Sequence, residues 1–135
     1  MKDDCVFCKI IKGEIPSFKV YEDEHTLAFL DVAKDIDGHT LVIPKKHYQN
    51  IMEIPQETYL HVMKTMKKLS EHYVENCGYQ AINILNASGK EAGQSVFHLH
   101  FHLYPRKKDD KADLWPKNKL ASIPLNEMRE KIKVE

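Results

Sequence analysis

The sequence predicts an α+β domain, an antiparallel sheet of about five strands with one long helix and a short N-terminal helix. Three observations carry that expectation. Tyr59, Met63, Met66, Leu69 and Tyr73 recur at three- and four-residue steps, the period of an amphipathic helix. Shorter runs on either side of that stretch are rich in β-branched and aromatic residues and are bounded by polar or glycine-containing turns, as strands are. The length, 135 residues and 15.7 kDa, suits one core of this mixed kind.

In chain order, CVFCKIIKGEIP places Phe7, Ile10 and Ile11 at helical spacing and then meets the stop signals Gly13 and Pro16, so a short helix opens the fold. Lys19 to Glu22 and Thr26 to Asp31 read as two strands of a hairpin turning at Asp23 and Glu24. The loop VAKDIDG leads through Gly38 into a third strand, His39 to Pro44. The long helix runs from Pro55 to about Asn76, ended by Cys77 and Gly78. Ala81 to Asn86 and Ser95 to Tyr104 read as two more strands, antiparallel across the loop 87–94. After Pro105 the run RKKDDKAD is a solvated connection, and LNEMREKIKV has the pattern of a last helix.

Composition narrows the function classes. Hydrophobic residues at 42% against 30% charged are too many for a disordered chain. Lys plus Arg and Asp plus Glu are 20 each, so no net field draws the molecule to nucleic acid or anionic lipid, and neither is expected as a partner. No apolar run has the length of a membrane span and the N-terminus lacks a secretory stretch, so a cytoplasmic location is expected. Three cysteines argue against a disulfide framework. Cys5 and Cys8 form a CxxC pair open to three readings, structural metal, packed reduced thiols or a redox couple, whereas Cys77 is expected to be a buried free thiol. His25, His61 and His72 read as surface or partly packed residues.

The informative feature is a row of histidines. In SVFHLHFHLY, His98, His100 and His102 alternate with Phe97, Leu99, Phe101 and Leu103, the two-residue period of a strand with one imidazole face and one hydrocarbon face. Same-face neighbours on a strand stand about 6.6 Å apart, so one metal ion with bonds near 2 Å takes two of the three at most. At least one imidazole is left for work as a nucleophile or proton carrier near neutral pH. The preceding loop, SGKEAGQS, offers Gly93, Ser95 and backbone N–H groups that suit an anion.

With hydrophobic residues between and after its histidines, this HxHxH row resembles the signature of the histidine triad (HIT) family. The resemblance extends to CVFCKIIKGEIPSFKVYEDEHTLAFLD, GHTLVIPKKH and AGQSVFHLHFHLYPR, and among branches it is most similar to the Hint-type nucleoside phosphoramidases and their bacterial relatives. It implies a HIT-like fold in one domain over residues 1–135, with a core at about 5–106 and a C-terminal extension, and a homodimer. By position, His100 corresponds to the nucleophile that attacks the α-phosphorus of a nucleotide, forming a nucleotidyl-histidine that water hydrolyses to a nucleoside monophosphate. His102 corresponds to a phosphate contact, His39 to the histidine that orients the row, and Ser95 to the residue that hydrogen-bonds the departing group. Gly93, Gln94 and Val96 would line the phosphate site, with Asn86 near its polar side. Asp31 would accept the ribose hydroxyls. Val6, Phe7, Ile10, Ile15 and Phe29 would form the apolar purine pocket.

Bacterial members with the same CxxC imply a structural zinc held by Cys5, Cys8, His47 and His98. The implied substrate is a purine nucleotide, an adenosine phosphoramidate or an aminoacyl-adenylate. Two alternatives stand beside it, cleavage of dinucleoside polyphosphates with Mg²⁺ on the substrate, and a non-catalytic purine-nucleotide-binding or partner-binding module. Two features depart from the common Hint-type pattern. The loop before the row is one residue longer, and Trp115 lies farther beyond His102.

Overall fold

The computed structural model describes residues 2–135. Helix α1 (Val6–Ile11) is followed by strands β1 (Lys19–Glu22), β2 (Thr26–Leu30) and β3 (Thr40–Pro44), the long helix α2 (Gln56–Asn76), strand β4 (Ala81–Leu85), strand β5 (Phe101–Arg106) and helix α3 (Leu125–Ile132). The five strands make one sheet in the order β1-β2-β3-β5-β4 with every neighbour antiparallel. The α+β architecture expected from the pattern is the observed one.

Alternation along the central strands divides the core between two faces. Ala28, Val42, Phe101 and Leu103 point to α2 and meet Val62, Met66, Leu69 and Tyr73 there. Leu27, Phe29, Leu41 and Ile43 point the other way and meet Phe7 and Ile10 of α1. The apolar face of α2 is what holds it on the sheet, and two buried hydroxyl pairs fix its register, Thr26 with Thr65 and Thr40 with Tyr73, both 2.7 Å. A helix as short as α1 covers only part of its face, and the uncovered part is where the site lies.

The expectation of a continuous strand from Ser95 to Tyr104 is corrected by the structure: β5 begins at Phe101 and runs to Arg106. The ladder with β3 pairs Val42 with Phe101, which would place Pro44 opposite Leu99. Pro44 has no N–H to give at that register, and its carbonyl accepts instead from the His98 ring, Nε2 to O 2.8 Å. The Leu99 N–H turns to the Tyr48 carbonyl at 2.7 Å. His98 and His100 therefore precede the strand, and His102 alone lies within it. Cys77 is likewise corrected. It caps the C-terminus of α2 and is exposed, because the chain leaves the helix there through Gly78 at φ +81°.

Candidate functional site

On the α1 face lies a cavity of about 510 Å³, walled by α1, by β2 and the residues after it, and by the segment 93–102. Val6, Phe7, Ile10, Ile15 and Phe29 form its apolar side, Asp31 stands at its edge, and Gly93, Gln94, Ser95, Val96, His100 and His102 close the other side. The chain places Asp31 there because β2 ends at Leu30, and the first carboxylate oxygen is fixed by the Ala33 N–H at 2.8 Å.

The ring states of the row follow from their partners. His100 is buried, and its Nδ1 lies 2.8 Å from the His98 carbonyl, so that nitrogen donates and the lone pair resides on Nε2. Burial pushes its pKa below the ordinary imidazole value, which keeps the ring neutral near pH 7. Behind it, the Asn86 amide donates to the His100 carbonyl at 2.9 Å while its oxygen accepts from Ser88 at 2.7 Å. Asn86 braces the row, and the cavity wall does not include it.

His39 is buried beneath His102 rather than in the cavity. One of its nitrogens is 2.9 Å from Asp35 Oδ1, the other 2.9 Å from His102 Nδ1 and 3.6 Å from Asp31 Oδ2. Burial opposes ionisation of Asp35, yet hydrogen bonds from His39 and the Ile36 N–H outweigh it and hold the carboxyl below its ordinary pKa. His102 is pushed down to about 4, by burial first and by the neighbouring rings of His100 and His39 second. Asp35 was not legible as a site residue. Its only sequence signal is a carboxylate four positions before His39 across the Gly38 turn.

In the loop ahead of the row, Gln94 is a staple. Its amide donates to the Gln49 and Val96 carbonyls at 2.6 and 3.0 Å and its oxygen accepts from the Gly89 N–H at 2.7 Å. The N–H groups of Gly93 and Gln94 close the loop on Lys90 and Gly89, while those of Ser95 and Val96 have no partner among the described residues. Ser95 is exposed at the cavity mouth.

Cys5, Cys8, His47 and His98 converge, with one ligand atom of each within 4.8 Å of the others, and could hold a metal ion. The CxxC spacing puts both sulfurs on the first turn of α1, where Cys5 is the N-cap. His98 Nδ1 is 3.5 Å from Cys5 Sγ and 3.6 Å from Cys8 Sγ, and the donation of its Nε2–H to Pro44 leaves that Nδ1 as a lone pair. His47 Nδ1 is 3.4 Å from Cys8 Sγ. Its Nε2 is buried with no partner among the described residues, so protein groups alone do not satisfy the ring. Asp31, His39 and His102 form a second convergent group, and Asp31 and His102 also line the cavity.

Comparison with known proteins gives a consistent answer. The HIT domain family model matches residues 12–109. An uncharacterized HIT-like protein of Methanocaldococcus jannaschii is 44% identical over 129 residues, 96% of this chain and 98% of that protein. The adenosine 5′-monophosphoramidase HNT1 of Saccharomyces cerevisiae is 44% identical over 115 residues, 83% of this chain and 70% of that one. A Zn-bound histidine triad family protein from Mycobacterium smegmatis superposes with a TM-score of 0.78 at 38% identity, covering 82% of this chain and 81% of that chain.

Proposed function

Because the chain belongs to the HIT domain family, we propose that it is a nucleotide hydrolase acting at the α-phosphorus of adenosine 5′-phosphoramidates or acyl-adenylates. The observation that carries the reading is the His100 ring. Its Nδ1–H is committed to a backbone carbonyl, which leaves an Nε2 lone pair on a residue that lines a cavity joining an apolar slot to a carboxylate. A neutral imidazole attacks phosphorus without first losing a proton. In this reading Nε2 forms the bond to phosphorus and the P–N or P–O bond to the leaving group breaks, an amine taking a proton from solvent as it departs and a carboxylate leaving without one. Water then displaces the nucleoside monophosphate from His100. The apolar slot of Phe7, Ile10, Ile15 and Phe29 takes the purine and Asp31 the ribose hydroxyls. The free N–H groups of Ser95 and Val96, with His102, take the phosphate oxygens. The naming of the yeast relative as a phosphoramidase supports this choice of substrate class.

The Cys5, Cys8, His47 and His98 set fits zinc. Bonds of about 2.3 Å to sulfur and 2.0–2.1 Å to nitrogen set tetrahedral S···N edges of about 3.5 Å, against 3.4 to 3.6 Å here. Four protein ligands leave no open position, so such an ion supplies structure rather than an activated water. The test of function is release of AMP from an adenosine phosphoramidate, with a dinucleoside tetraphosphate alongside. Preference for the phosphoramidate is expected. Binding of AMP without turnover of either compound would contradict the enzymatic reading.

A further inference from the structure

We propose that Asp35, acting through His39, is a positioning residue that holds His102 in its Nδ1–H form, so that an anionic phosphate docks at His102 only together with a proton. A carboxylate oxygen only accepts, so the His39 nitrogen 2.9 Å from Asp35 Oδ1 carries the proton. His39 Nε2 is then an acceptor, and the His102 Nδ1 lying 2.9 Å from it is the donor. That leaves the other nitrogen of His102, a residue of the cavity wall, as a bare Nε2 lone pair in the neutral ring. A lone pair repels a phosphate oxygen. One added proton, shared along the two rings and balanced by the Asp35 charge, turns the same nitrogen into a charged donor.

The surroundings leave few other sources for this behaviour. His102 faces Leu41 of β3 and Leu85 of β4 across the sheet. The titratable groups near it are His39, Asp31 and Asp35 from the end of β2 and the turn before β3, and His100 and Tyr104 on its own segment. Tyr104 stacks on both His39 and His102, with ring centroids 4.0 and 6.0 Å apart, which fixes the planes in which the two protons point. Asp31 approaches His39 only at 3.6 Å, and its first oxygen already accepts from Ala33. Among the described residues Asp35 is the one carboxylate within hydrogen-bond distance of the pair. Its second bond, from the Ile36 N–H at 2.9 Å, locks it in place.

The inference deepens the proposed function, since it assigns His102 to the phosphate, and its test separates the two. Isotope-labelled histidine NMR of the ligand-free full chain near neutral pH reads the tautomers. Wild type is expected to show His39 and His102 both as Nδ1–H, Asp35→Ala to reverse both to Nε2–H, and Asp37→Ala to leave them unchanged. Unchanged tautomers in Asp35→Ala would overturn the proposal. The second arm is AMP affinity against pH. In wild type it is expected to weaken roughly ten-fold per unit above neutrality, the signature of one linked proton, and in Asp35→Ala to be nearly flat. Equal slopes in the two proteins would also overturn it. If the tautomers follow Asp35 yet wild type does not bind AMP, the relay stands and the nucleotide reading falls. If AMP is bound and phosphoramidate hydrolysed while the tautomers ignore Asp35, the reverse holds.

Discussion

The proposed role of His100 as nucleophile rests on both of its neighbours in the row being otherwise engaged. His98 gives its ring to the cysteine cluster and its carbonyl to His100 Nδ1, and His102 gives its Nδ1–H to His39. Replacing His100 by Ala is expected to reduce AMP release to background while AMP affinity, measured by calorimetry, stays within a few-fold, since the chemistry and the anion contacts use different groups. Asp31→Ala is expected to weaken AMP about ten-fold or more, the scale of hydrogen bonds to a charged acceptor, and to leave 2′,3′-dideoxy analogues unaffected. An equal loss for both ligands would remove Asp31 from the ribose. Gly38 adopts φ +84°, and a Cβ there would lie 2.6 Å from Pro105 Cγ. Gly38→Ala is expected to cost about 1–3 kcal/mol in urea unfolding, and a smaller loss would mean that the turn before His39 has room to adjust.

Among the elements, α2 was the most legible, because burial of Met66, Leu69 and Tyr73 against the sheet imposes the period that the sequence displays. The histidine row was legible as a candidate site and misleading as a strand. Alternation records which side chains share a face, and it is blind to a missing donor on the partner, here Pro44. The relay to Asp35 and the brace from Asn86 were hidden for a related reason: both join residues that only turns and ladder register bring together. Helix α1 is tied to the rest at its first turn by the Cys5, Cys8, His47 and His98 cluster. If that cluster holds zinc, elemental analysis of protein purified without chelator gives about one equivalent per chain. Its removal by chelator, or Cys8→Ser, is then expected to lower the melting temperature by ~4 °C or more. Absence of metal would refute the assignment.

For the molecule as a whole, buried imidazoles make stability depend on pH. His98 and His102 are both held at about 4, chiefly by burial, against 6.5 for a free ring. Between those values the unfolded chain binds protons that the folded chain refuses. The metal-free protein is therefore expected to lose stability as pH falls through that window, as urea titrations would show, and the carboxylates of Asp35 and Asp110, held low by their hydrogen bonds, extend the loss below it. The outer edge of β4 has no strand partner among the described residues, and Ile84 and Leu85 of that strand are exposed. We propose this edge as the interface of the homodimer, with sedimentation expected to give twice 15.7 kDa. The pairing of β1 with β2 and of β4 with β5 followed from patterns in the sequence, and the residues of the cavity wall from the family resemblance, whereas the order β1-β2-β3-β5-β4 did not. The burial that sets these protonation states did not, because it depends on how α1 and the segment 93–102 close over one face of the sheet.

The most direct test of the central claim is to catch the intermediate. Rapid quenching of the wild-type protein during turnover of an adenosine phosphoramidate, followed by peptide mass mapping, is expected to find the nucleotidyl group on His100 and none in His100→Ala. A label on another residue, or turnover with no covalent species even in the burst phase, would contradict nucleophilic attack by His100.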